Sequence, residues 1–138
     1  MTMQLDLDSS ISPSRQIEIA MLDRMASGAL CAGDRLPSVR RLAAEALVNP
    51  NTVGKAYREL ERGGFVVGRS GSGVYVSETG PALARRSRAS DAEQQLLTAI
   101  RSARAAGLAH ERIHELVQLE LQNVPAGEPV LPVNGDRS

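Results

Sequence analysis

Aromatic residues are almost missing from this sequence. Tyr57, Phe65 and Tyr75 are the whole set and tryptophan is absent, so the stacking platforms that hold single-stranded nucleic acids cannot be built. Cysteine occurs once, as Cys31, which rules out an internal disulfide and argues against a stapled secreted domain. No charged-then-apolar leader and no long apolar run is seen, so a cytoplasmic protein without a membrane span is expected. Charge of one sign is lacking too. The 16 basic and 16 acidic residues cancel, which speaks against a histone-like or tail-driven binder of polyanions.

The charge that is present is unevenly placed. Residues 13–76 hold nine basic side chains (Arg15, Arg24, Arg35, Arg40, Arg41, Lys55, Arg58, Arg62, Arg69) against six acidic ones (Glu18, Asp23, Asp34, Glu45, Glu59, Glu61), so this part is net positive and the ends carry the compensating acid. A chain of 138 residues suits one core, or one small domain with an appendage.

Residues 3–8 alternate apolar and polar (Met3, Leu5 and Leu7 against Gln4, Asp6 and Asp8), the pattern of a short edge strand or arm. Ser12 followed by Pro13 is a helix start, because proline at the first helical position gives up an N–H that has no partner there anyway. Ile17, Ala20, Met21 and Met25 then fall on one face, and Gly28 supplies the left-handed stop. Residues 30–37 read as a loop. Ser38 caps a second helix through Ala46, with Val39, Leu42, Ala43 and Ala46 on its apolar side. Asn49 and Pro50 repeat the start signal after only a few residues, which is helix-turn-helix spacing. In the third helix Val53, Ala56, Tyr57 and Leu60 face inward, while Asn51, Lys55, Arg58 and Arg62 recur on the outer side with Thr52 near the start. Such a helix is shaped to enter a DNA groove.

Gly63 and Gly64 stop that helix. Two β-prone runs, Phe65-Val66-Val67 and Val74-Tyr75-Val76, flank the basic, glycine-rich stretch from Gly68 to Gly73 with Arg69 in it, predicting a hairpin that serves as the wing of a winged helix. Residues 77–90 read as a polar linker or the frayed start of a helix, with Ser90 and Glu93 as a capping box at the head of a fourth. Leu96, Ala99, Ile100 and Ala103 share one of its faces, and a fifth helix over residues 109–123 presents Ile113, Leu116, Val117 and Leu121. Two such short helices cannot bury these faces on each other alone, so they are expected to form half of a dimer interface. The expected organisation is therefore mainly α with a small β-hairpin: a winged helix-turn-helix DNA-binding domain with its arm over 1–76, a linker over 77–90, a two-helix dimerisation region over 91–124, and a disordered Pro/Gly-rich tail over 125–138.

These linked motifs, from Gly28-Ala29-Leu30 through Gly33-Asp34-Arg35-Leu36-Pro37-Ser38-Val39-Arg40, Asn49-Pro50-Asn51-Thr52-Val53 and Ala56-Tyr57-Arg58-Glu59-Leu60 to Gly71-Ser72-Gly73-Val74-Tyr75-Val76, resemble the GntR family of bacterial transcriptional regulators. The short two-helix end is similar to its YtrA-like subfamily, whose members are typically dimeric repressors, often of operons for membrane transporters. The resemblance implies that Arg40 contacts DNA, that Asn49, Asn51, Thr52 and Lys55 lie at or beside the groove, and that Ser70, Gly71 and Gly73 form the wing tip. It also implies a homodimer on a palindromic operator in double-stranded DNA, located with the bacterial nucleoid and without a cofactor; the effector domains of larger members have no room here, so a small-molecule effector of unknown identity would have to bind between helices or at the dimer interface. Some family members place arginines where Pro50 and Gly54 stand here, so base reading is expected from Asn51, Thr52 and Lys55.

One stretch makes a different claim. His110-Glu111-Arg112-Ile113-His114 matches H-E-x-x-H, which sets two imidazoles one helical turn apart for zinc. The sequence has no third histidine, and neither a metal site nor an enzyme is expected. A second alternative is a winged helix used as a protein-interaction module without specific DNA binding.

Overall fold

Residues 3–123 are described in a computed structural model of the chain. The first capping signal works as written. Ser12 Oγ accepts the Arg15 N–H at 3.3 Å, Pro13 opens α1 (Pro13–Ser27), and Gly28 closes it at φ 90°. Ser38 Oγ accepts the Arg41 N–H at 3.2 Å at the head of α2 (Val39–Ala46). Asn49 Oδ1 accepts the Asn51 N–H at 2.8 Å at the head of α3 (Pro50–Arg62). Each cap satisfies a backbone donor that the helix itself leaves without a partner.

Leu47 ends α2 and is the one non-glycine residue with positive φ among those described, at 57°. Its N–H reaches Ala43 O, and Val48 N–H also donates to Ala43 O at 3.1 Å. Two antiparallel strands follow, β1 (Val66–Arg69) and β2 (Gly73–Val76), in the register Val66 to Val76 and Arg69 to Gly73.

The chain divides into two compact units, one ending at Glu93 and the other starting at Gln94. The core of the first is drawn from every element the sequence assigned to it. Ile17, Met21, Leu22 and Met25 come from α1, Leu42 and Ala43 from α2, and Val53, Ala56, Tyr57 and Leu60 from α3, with Val66 and Val76 from the hairpin. Burying each of the larger side chains is worth about 1.5–3 kcal/mol, and this joint burial holds α2, too short to stand alone.

Of the two forms expected for residues 3–8, a short edge strand or an arm, the chain takes the arm: Met3 is buried and Leu5 packs on the core, but Leu7 is 79% exposed. Gln16 takes the place of a neighbouring strand, since its Nε2 donates to Asp6 O and Ile11 O and its Oε1 accepts the Asp6 N–H. Residues 33–36, read as loop, lie along β2: Gly33 N–H donates to Val76 O, Val76 N–H to Asp34 O, and Leu36 N–H to Val74 O.

The expected linker is mostly helix, because α4 spans Gly80–Ala105 and passes through Ser90 without starting there. Packing and ion pairs set its start. Gly80 lies so close to the hairpin that a Cβ on it would fall 2.4 Å from Phe65 O, which only glycine avoids. Ala84 is fully buried. Arg88 then bonds Asp23 of α1 at 2.7 Å and Asp91 at 2.9 Å, and Asp91 also meets Arg15. A polar sequence became a helix because its charges have partners on α1.

In the second unit, Gly107 at φ 95° turns the chain from α4 into α5 (His110–Gln122). Ile100, Ala103, Ile113 and Val117 are partly buried there, while no residue of α5 is fully buried. Leu96, Leu116 and Leu121 are 55%, 40% and 64% exposed. Val124 and the tail expected over 125–138 lie outside the described residues.

Candidate nucleic-acid interface

The two sides of α3 are chemically separate. Val53, Ala56, Tyr57 and Leu60 are buried; Asn51, Lys55 and Arg58 are exposed, and Thr52 is half-buried in the first turn. Helical periodicity alone produces this division. The buried side is also anchored by a polar group, as the Tyr57 hydroxyl donates to Pro37 O at 2.7 Å. Burial pushes the Tyr57 phenol well above its ordinary ionisation range, with the negative charge of Glu45 adding to the effect. The hydroxyl stays a donor and ties α3 to the segment that leads into α2.

The cap does not use up the hydrogen-bonding capacity of Asn49. Its Oδ1 is committed to the cap, but an asparagine amide keeps two N–H donors that can point outward. Arg40 is exposed on the first turn of α2.

The ion pairs sort the remaining cations. Arg41 is paired with Glu45 at 3.3 Å and Arg62 with Glu59, so neither presents a free guanidinium. Among the described residues, Arg35, Arg40, Lys55, Arg58 and Arg69 make no ion pair. Sequence periodicity gave Arg58 and Arg62 equal standing, and the neighbouring glutamate separates them.

In the wing, Ser70 and Gly71 stand exposed at the tip, and the Ser72 N–H closes the turn on Arg69 O at 2.9 Å. The Arg69 guanidinium lies 4.4 Å from the centre of the Tyr75 ring, a cation–π contact that positions the side chain without neutralising it. Gly73 is half-buried at φ 139°, and a Cβ there would come within 2.8 Å of Arg35 Nε. Arg35 is thus a wing residue that sequence reasoning left in a loop. The available signal was faint: Arg35 exposed and Leu36 buried is the alternation of an edge strand.

His110 and His114 stack at the surface of α5 with ring centres 6.4 Å apart. Among the described residues no group of three or more His, Cys, Asp or Glu is placed to hold a metal ion. Both rings line a cleft of about 410 Å3 with Ile100, Arg104, Ile113 and Val117. Cys31 is exposed and its thiol donates to Gly28 O at 3.4 Å. No described helix is long and apolar enough to cross a membrane.

The pattern of the bacterial regulatory proteins of the gntR family matches residues 13–76, from the first residue of α1 to the last of β2. The chain is 37% identical over 125 residues to the HTH-type transcriptional repressor YtrA of Bacillus subtilis (strain 168), a match over 91% of this chain and 96% of that one. A GntR family transcriptional regulator from Listeria monocytogenes superposes with a TM-score of 0.70 at 30% identity, covering 82% of this chain and 98% of the other. The DNA-binding domain of AraR in complex with operator ORE1 is similar in fold alone, with a TM-score of 0.50 and 17% identity over 56% of this chain and 100% of that one.

Proposed function

The chain belongs to the GntR family of bacterial regulatory proteins and is a DNA-binding transcriptional regulator, and from that premise we propose that it is a homodimeric repressor of a palindromic operator. The observation that carries the DNA-binding face is the set of cations without ion pairs on α2, α3 and the wing. In this reading Arg40, Arg69 and the backbone at Ser70, Gly71 and Gly73 hold phosphates, Asn49 and Arg58 border the groove, and Asn51, Thr52 and Lys55 read base edges. Phosphate contacts set register while base contacts carry sequence.

The dimer rests on the second unit. A leucine-rich surface left open on the last turns of α4 and on α5 calls for a partner, and a second copy supplies an equal surface through two-fold symmetry. Leu96, Ile100, Ala103, Ile113, Leu116, Val117 and Leu121 would form its core. Two linked reading heads then bind a two-fold repeated site more tightly than either alone. Repression is proposed from the relative named as a repressor; the control of a transporter operon, and action at the nucleoid in the cytoplasm, are proposed from the subfamily's habit.

The test is selection of duplexes from fragments of the source genome, followed by titration of the selected site. Inverted half-sites, steep salt dependence, and loss of about tenfold or more in affinity with Arg40→Ala and with Lys55→Ala are expected. Equal binding by these variants would sink the reading. Retention of no duplex at all, with a purified acidic protein captured instead, would favour an interaction module.

A further inference from the structure

The geometry points to Arg35 as a phosphate contact of the wing, contributed from outside the hairpin and resting on the DNA-binding reading above. Three backbone bonds, from Gly33, Leu36 and Val76, lay residues 33–36 along β2 as a third, edge segment. Arg35 is the antiparallel partner of Tyr75 there. Partners across a sheet point to the same face, and residues two apart on a strand do so as well. Arg35, Tyr75, Gly73 and Arg69 therefore share one face, opposite to that of the buried Val66 and Val76.

Gly73 is the centre of this arrangement. Arg69 is its partner on the β1 side, and from the other edge the Arg35 guanidinium lies over it, within 3.3 Å of where a Cβ would stand for Nε, Cζ and Nη2. The missing side chain leaves the space that the guanidinium occupies. Two arginines from segments far apart in sequence thus flank one glycine beside the exposed Ser70-Gly71 tip.

Neither arginine has an acidic partner among the described residues. Glu45 borders the same cleft as Arg35, but Arg41 already holds it, and Glu78 borders a cleft with Arg69 without forming an ion pair with it. Two like charges on one small face repel each other weakly in water, and an anion placed beside both reverses the sign of that energy. A guanidinium fork suits a phosphate group, and one lying flat on a glycine loses little rotamer freedom on binding. The anion is a backbone phosphate of duplex DNA, because the same segment runs straight through Pro37 into Ser38 and α2, whose Arg40 is proposed to face that backbone.

The test compares wild type, Arg35→Ala, Arg35→Lys and Arg40→Ala as full chains on the selected operator, by titration at several salt concentrations, with hydroxyl-radical footprints and melting curves. Arg35→Ala should bind about five- to tenfold more weakly, lower the slope of log K against log salt by about one unit, and lose protection of sugars beside the wing while its melting temperature holds. Arg35→Lys should restore the slope and only part of the affinity. If Arg35→Ala keeps the wild-type affinity and slope while Arg40→Ala binds weakly, Arg35 is only packing against Gly73 and the assignment falls alone. A loss of affinity without a change in slope, unrepaired by lysine, overturns it too. Failure of wild type to bind any selected duplex removes both readings.

Discussion

Arg58 lies back across Gly54, one helical turn earlier on the outer side of α3, with Nη1 3.3 Å from the point where a Cβ of residue 54 would stand. The missing side chain at residue 54 thus makes room for a guanidinium delivered from the next turn. Arg58 has no ion pair among the described residues, so its charge is carried toward the half of the helix proposed to read bases.

Gly54→Ala separates stability from recognition. Alanine is favoured over glycine in a helix interior by about 1 kcal/mol, so the melting temperature should rise by roughly 4–8 °C if the whole gain is realised in a domain of this size. The new methyl pushes the Arg58 guanidinium outward by a few tenths of an ångström, and operator affinity should fall. Calorimetry and titration of the same preparation check both; unchanged affinity would mean that Arg58 does not act from above residue 54.

Leu47 carries strain with no burial to offset it. It is 89% exposed and holds φ 57°, a conformation that costs an L-residue about 1–2 kcal/mol and glycine almost nothing. Leu47→Gly should therefore stabilise the chain by about 0.5–1 kcal/mol after the added freedom of the unfolded chain is subtracted. A lower denaturation midpoint would show that the leucine makes a stabilising contact.

The phenol of Tyr57 should make stability fall at alkaline pH. Its folded pKa is raised, by burial first and by Glu45 second, whereas the unfolded phenol ionises near its usual value of about 10. Below that value both states hold the proton and the stabilisation is complete; above it the unfolded state releases the proton first, so unfolding is favoured. Tyr57→Phe should remove this alkaline loss from the unfolding free energy. At neutral pH it should cost about 1–2 kcal/mol, because Pro37 O loses its donor.

Leu116→Glu tests the proposed dimer. Glutamate retains helix propensity, while a charge in an apolar interface is costly to bury. Sedimentation equilibrium should show a dimer for wild type and a monomer for the variant, with operator affinity lowered at least tenfold and the melting of the first unit unchanged. A dimeric variant with wild-type affinity would place the contact elsewhere.

The parts legible in the sequence were those governed by local chemistry. Ser12-Pro13, Ser38 and Asn49-Pro50 mark helix starts because a cap satisfies backbone groups within three residues. The inner and outer sides of α3 follow from its period. What escaped depended on partners distant in the chain. Residues 33–36 look like a loop until β2 offers them carbonyls and an N–H. The start of α4 was hidden by its polar composition, which makes sense only once Asp23 stands opposite Arg88. The outer cations of α3 were recognised as a group, but the pairing that withdraws Arg62 and leaves Arg58 is a matter of side-chain geometry.

The separation of the two sides of α3 also bears on how such a regulator diversifies. Asn51, Lys55 and Arg58 are exposed, and none of them belongs to the core cluster that Val53, Ala56, Tyr57 and Leu60 complete. Under the proposed reading of the operator, a duplicated copy could exchange Asn51 or Lys55 one at a time, each step changing the preferred half-site while leaving the packed interior as it was. New operators are then reachable by single substitutions through intermediates that all fold, with the glycine at residue 54 as the position where reach along the groove can be lengthened or shortened.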